Sequence, residues 1–286
     1  MLSVKNENRT HRDIPLCFEK GDINNLFSFI GTRGLSGVTS QLTDRQTEHD
    51  TACMICGTEL IYDKTARDQV CYYCGNHEMS AISCPEGHFI CDECHSKDAL
   101  AFLARLADVE HSTSPIDVAD RALMHPSFKF HGPEHHSLVP AAILIAMKNK
   151  GIPKKNGEPV TKDTILEGIR RGAKIPGGFC GYAGTCGACV GAGVAVALFV
   201  GSTPTRGPER KIAHSATTNA LYLSQDGLTR CCKRATYYGL SAAINLLKDE
   251  YDIDLGPAPQ IHSCKYSDRN RDCEETDCPY FDLSHK

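Results

Sequence analysis

Between positions 53 and 94 the chain carries four closely spaced ligand pairs: Cys53-x2-Cys56, Cys71-x2-Cys74, Cys84-x3-His88 and Cys91-x2-Cys94. Structural zinc takes four Cys or His ligands in tetrahedral geometry, so these seven cysteines and one histidine provide for two ions. The pattern predicts a segment that folds around metal, because such thiols have little other reason to cluster in pairs.

Each of the first two pairs is followed by glycine, Gly57 and Gly75, as in zinc knuckles, where a tight turn aims backbone amides at the sulfurs. The run Cys84-Pro-Glu-Gly-His88-Phe-Ile-Cys91-Asp-Glu-Cys94 resembles the centre of RING-type fingers. That resemblance implies interleaved ligation, with Cys53, Cys56, Cys84 and His88 on one ion and Cys71, Cys74, Cys91 and Cys94 on the other. A sequential arrangement, first four ligands then last four, is the simpler alternative. Closed four-ligand sites stabilise a fold and usually do no chemistry. RING-like spacing is therefore poor ground for ubiquitin transfer, and no further pair follows Cys94 before Cys180.

Sixteen cysteines in a 286-residue chain would suit a secreted disulfide scaffold only if the chain were short and signal-bearing. The first twelve residues are polar and lack an apolar core of the signal-peptide kind. The longest apolar run, 190–200, is interrupted by glycine and too short to span a bilayer. The expectation is a cytoplasmic protein without a membrane segment. A net charge of −4, with Lys64 and Arg67 the only cations in the loop before Cys71, argues against nucleic-acid binding.

Beyond the metal segment the apolar spacing is helical. Helices are predicted over 97–109, 117–124, 138–150, from Thr161 onward, and over 187–200, 215–224 and 231–250, with Pro140 in a first turn. No useful stretch alternates apolar and polar residues, which excludes an all-β domain. The expected fold is mainly α: a helical bundle preceded by a RING-like or zinc-ribbon-like domain. The segments are an N-terminal arm (1–50), a double-zinc domain (51–96), a helical domain (97–255) and a cysteine-containing, irregular tail (256–286). The runs 138–150 and 190–200 are apolar around their whole circumference, which places them at the centre.

The chemistry is expected in the helical domain. Cys180, Cys186 and Cys189 lie in a glycine-rich loop that runs into a helix, with a Cys-x5-Cys-x2-Cys spacing one residue longer than that of the plant-type ferredoxin loop. Its glycines either let amides approach a cluster or ligand, or simply allow close helix packing. Arg230-Cys231-Cys232-Lys233-Arg234 stands at a helix start, where free amides and cations favour thiolate. His131, His135 and His136, with Glu134 beside them and His125 upstream, are candidate acids, bases or ligands. Cys180, Cys186, Cys231, Cys232, His131, His135 and His136 form the expected catalytic set, converging on one cavity. Cys189, Cys264, Cys273 and Cys278 are candidate cofactor ligands. The Cys278-Pro279 ending is like that of bacterial ferredoxin motifs, and the three tail cysteines would hold a cluster with an open iron, take a fourth ligand from the helical domain, or bind a structural zinc with His262 or His285.

Taken together these motifs resemble a cysteine-rich domain family of unknown function, over roughly residues 51 to 282. The resemblance implies an origin in methanogens and other anaerobes, and partnership with radical-SAM proteins or SAM-dependent methyltransferases. It carries no established reaction. The expected function is metal- and thiolate-dependent redox, sulfur or methyl-transfer chemistry, with two zinc ions and an iron–sulfur cluster as the further cofactor candidate. The competing expectation is a non-catalytic zinc module that docks such an enzyme.

Overall fold

A long apolar helix organises the chain. In the computed structural model, which describes residues 53, 55–56, 58–91, 98–261, 263–270 and 272–285, the order is β1 (Ile61–Val70), β2 (His77–Ser83), α1 (Ala99–Val109), α2 (Pro115–Met124), α3 (Glu134–Asn149), α4 (Lys162–Ala173), α5 (Phe179–Tyr182), α6 (Gly187–Val200), α7 (Gly207–Leu223) and α8 (Cys232–Tyr251). The expected N-terminal arm, and with it Gly57, Cys94, His95 and His262, lies outside the described residues.

Every residue of α3 from His135 to Met147 is buried, as its all-round apolar sequence requires, and α1, α2, α4, α6 and α8 pack against it. Helix α3 starts a turn earlier than its apolar run. The His135 and His136 rings are buried and belong to the helix, so Pro140 sits inside it rather than in its first turn. Pro140 has no N–H to give the His136 carbonyl four residues back. Two glycines close over that carbonyl instead: a Cβ on Gly172 of α4 would lie 2.5 Å from it and one on Gly191 of α6 2.9 Å from it.

Other helix ends follow local chemistry. Asp98 caps α1 by accepting from the amides of Leu100 and Ala101, Ser114 caps α2, and Thr161 forms a capping box with Thr164 at α4. Helix α7 begins two turns before the expected position 215, because its first residues, Gly207–Lys211, are a polar run that gives no apolar signal. Its buried stripe is Ala213, Ala216 and Ala220, small enough for α6 to approach closely.

Strands β1 and β2 pair antiparallel in the metal segment, with an irregularity between Tyr62 and Arg67. Tyr73, just after β1, keys this segment to the helices: its ring meets Phe102 of α1 edge-on at 4.7 Å, and Arg121 of α2 donates to the Tyr72 carbonyl at 3.0 Å. The described tail residues form short 3-10 turns and a bridge between Cys264 and Phe281. Among the described residues no helix is long and apolar enough to cross a membrane.

Candidate functional site

The cysteine pairs of the N-terminal segment interleave. The ligand atoms of Cys53, Cys56, Cys84 and His88 all lie within 4.8 Å of one another, and so do those of Cys71, Cys74 and Cys91. Cys56 and Cys84 sulfurs are 3.5 Å apart, Cys84 Sγ and His88 Nδ1 3.7 Å, and Cys74 and Cys91 sulfurs 3.7 Å. Tetrahedral thiolates on an ion at about 2.3 Å are separated by roughly 3.8 Å, so both groups fit one ion each. Cys94, the expected fourth ligand of the second group, lies outside the described residues. Amides reach three of the sulfurs at 3.4 Å: Ile55 N–H, from the first knuckle turn, donates to Cys53 Sγ, Glu86 N–H to Cys84 Sγ, and Cys91 N–H, from twenty residues on, to Cys71 Sγ. Gly75, at φ +70, makes the turn after Cys74.

A second site opens in the helical part. Cys180, Cys186, Cys231, Cys232 and His136 line one cavity of about 650 Å³, with Arg230, Asp226 and Tyr238 on its wall. The loop 177–187 forms one side. Gly177, Gly178, Gly181 and Gly184 line the cavity, whereas the glycines further along α6 serve packing, Gly191 against His136 O and Gly193 against Thr217. Both readings of the glycine-rich stretch therefore hold, for different glycines.

Cys186 is the N-cap residue of α6. The Cys189 thiol one turn on, the amides of Cys189 and Ala188 and the Arg230 guanidinium favour its thiolate against burial, lowering its pKa to about 6. Cys189 itself is fully buried, with its thiol 3.4 Å from the Ala220 carbonyl, and stands behind the cavity wall rather than in it. Burial pushes the Cys232 thiol up, partly offset by the Gly132 amide and by Arg230. Burial raises Cys231 as well, and its sulfur accepts from Arg234 N–H at 3.4 Å.

The histidines divide. His136 faces the cavity and donates from Nδ1 to Ile175 O at 3.0 Å, which leaves Nε2 as the acceptor nitrogen; burial lowers its pKa, so the ring is neutral. His135 is buried on the other side of α3, donates to the Gly132 carbonyl at 3.0 Å, and is held neutral by burial and by Lys233, with a pKa near 3. His131 packs edge-on against Phe130 at 4.5 Å, and His125 stacks on Phe102 at 4.0 Å; neither lines the cavity.

Sequence reasoning missed Asp226 and Tyr238. Asp226 accepts from Arg234 Nε at 2.6 Å and from the Tyr238 hydroxyl at 3.0 Å, which pins the loop between α7 and α8 as one cavity wall. The Asp226-Gly227 pair marks a turn, but nothing local signals its partners.

Residues 103–281 match the Family of unknown function (DUF5714). The chain belongs to that family. The family match starts inside α1, so it contains the cavity and the tail cysteines but leaves the N-terminal metal segment out, a shorter span than the resemblance from residue 51 implied. No curated protein and no solved structure matches the chain.

Proposed function

We propose that this chain is a zinc-stabilised thiolate protein of redox, sulfur or methyl-transfer metabolism, with Cys186 as its reactive group. One observation carries the reading: a cysteine with a depressed pKa stands at a helix start, on the wall of a ligand-sized cavity that also holds three more thiols, an arginine and a neutral imidazole. Arg230 suits an anionic ligand. The Cys186 thiolate attacks an electrophilic sulfur or methyl carbon of a donor, forming the new bond to Cys186 as the leaving group departs with the bonding pair. A nucleophilic acceptor then takes the group and regenerates the thiolate. Cys180 and Cys232 are the thiols placed to act as that acceptor or to hold a bound ligand, and the free nitrogen of His136 is placed to take an acceptor's proton.

Zinc in both N-terminal groups follows from their donor chemistry: thiolates with one imidazole and no carboxylate. The cytoplasm is the compartment that keeps so many thiols reduced.

The test is alkylation of anaerobically purified protein with iodoacetamide, read by mass mapping. Cys186 should react fastest at pH 7, ahead of the more exposed Cys180. Equal or slower reaction of Cys186 would leave no activated nucleophile in the cavity.

A second reading has its own observation. The β1–β2 hairpin exposes Tyr62 and Ile82, cross-strand partners on one face, and also Ile61, Val70 and Met79. Such a surface supports a module that docks an enzyme, a radical-SAM protein or a methyltransferase, through its zinc segment. Tyr62→Ser with Ile82→Ser should then abolish capture of that enzyme while leaving Cys186 reactivity intact.

A further inference from the structure

The vicinal pair at the start of α8 serves two places. Cys231 also faces a second, narrow cleft, shared with Cys264, Cys273 and Cys278 of the tail. The tail reaches it through defined contacts. Tyr266 donates from its hydroxyl to Asp120 of α2, and Tyr280 packs on Tyr237 and Tyr238 of α8 with ring centroids 5.0 and 5.7 Å away. Cys231, Cys273 and Cys278 are all near enough to act electrostatically on Cys264, and all four line the cleft.

The cleft is built for anionic sulfur. Arg234 N–H donates to Cys231 Sγ and Glu275 N–H to Cys273 Sγ, both at 3.4 Å, and the Tyr266 amide faces Cys264. Glu275 holds φ +44, a left-handed conformation uncommon for a residue with a side chain, while its amide points at that sulfur. Lys233 lines the same cleft at 2% exposure, its ammonium 5.1 Å from the Tyr266 ring centroid and 5.7 Å from that of Phe130. The Lys233 charge also acts on Glu134, and within the cleft it places a cation beside the four sulfurs, which favours a centre of net negative charge there.

We infer that Cys231, Cys264, Cys273 and Cys278 ligate an iron–sulfur cluster of the four-iron, four-sulfide type. Spacing separates this from a third zinc. The two N-terminal groups draw their ligand atoms within 4.8 Å, but no three of these four sulfurs do so. A single ion needs thiolates roughly 3.8 Å apart, whereas a polynuclear core holds its four cysteines further out. The backbone amide donors and Lys233 tune and neutralise such a core. This site is independent of the Cys186 reading, since Cys186 does not line the cleft.

The test uses the full chain, purified without oxygen and incubated with ferric iron, sulfide and dithiothreitol, so that partial reduction of the ferric iron supplies the mixed-valence core. Expected are about four iron and four sulfide per chain in addition to zinc, with a visible absorption that dithionite bleaches. Cys231→Ala and Cys273→Ala should each lose that iron while keeping zinc and helical circular dichroism, which shows that they fold. Alkylation of Cys186 should leave the iron in place. Failure of wild-type protein to take up iron, zinc in its stead, or iron retained in both variants and lost on Cys186 alkylation would each overturn the assignment. Slow alkylation of Cys186 with iron retained would instead sink only the thiolate reading.

Discussion

Cys231 and Cys232 are joined by one peptide bond and both line the large cavity, yet only Cys231 also faces the cleft of the tail cysteines. The Cys232 sulfur shares the large cavity with Arg230, whose guanidinium favours its thiolate, while Cys231 caps α8 through the Arg234 amide and also reaches the tail cysteines. A helix start allows this divergence, since the cap residue has extended dihedrals and the next residue is already helical.

Reactivity at Cys186 should follow its own titration. Because the folded pKa lies below the ordinary thiol value, the thiolate fraction falls only as pH drops through about 6. Iodoacetamide rates at this residue should therefore have a midpoint near pH 6 and be flat above it. Arg230→Ala, which removes a cation favouring the thiolate, should raise that midpoint by about half a unit to one unit. A midpoint at the value of free cysteine in the unsubstituted protein would contradict the electrostatics.

Metal stoichiometry distinguishes interleaved from sequential ligation. Cys56→Ala combined with Cys84→Ala removes two ligands of one group, so the protein should lose one metal equivalent and keep the other. Cys56→Ala combined with Cys74→Ala touches both groups and should lose both. Plasma emission spectrometry of the dialysed variants reads the difference directly.

Glycine-to-alanine changes should separate packing from cavity roles. At Gly172 an added Cβ would meet the His136 carbonyl and the Ser137 Cα at 2.5 and 2.6 Å, both backbone atoms that cannot move aside. Gly172→Ala should cost about 1–3 kcal/mol in urea unfolding. Gly181 has nothing within 4 Å of its would-be Cβ, so Gly181→Ala should leave stability unchanged within about 0.5 kcal/mol.

Loss of Asp226 should loosen the cavity wall. Arg234 is buried, and Asp226→Ala would leave its guanidinium with only the Thr229 carbonyl at 2.7 Å. Breaking a buried pair from one side costs about 3 kcal/mol or more, and the partial exposure of Asp226 puts the expected loss at about 2–3 kcal/mol. Hydrogen exchange should show faster amide exchange across residues 224–231. Wild-type protection there would show that the pair does not hold the loop.

The N-terminal ligand groups were legible in the sequence because metal ligation is written in short spacings: Cys-x2-Cys and Cys-x3-His are local, and a knuckle turn brings its own amides to the sulfurs. The buried helices were legible for a similar reason, since α3 and α6 are apolar on every face. Periodicity could not see the start of α7, whose first turn is polar, nor the inclusion of His135 and His136 in α3, where two polar residues are buried by contacts from α4, α6 and the loop before them. Which histidine faces a cavity is settled by one-residue rotation about α3, and which of two adjacent cysteines meets the tail is settled by where Tyr266 and Tyr280 dock. Such choices depend on partners 39 to 146 residues away in the chain, as in His136 with Ile175 and Tyr266 with Asp120. Local spacing determined the ligand pairs and the core helices; only long-range packing decided which thiols share a site.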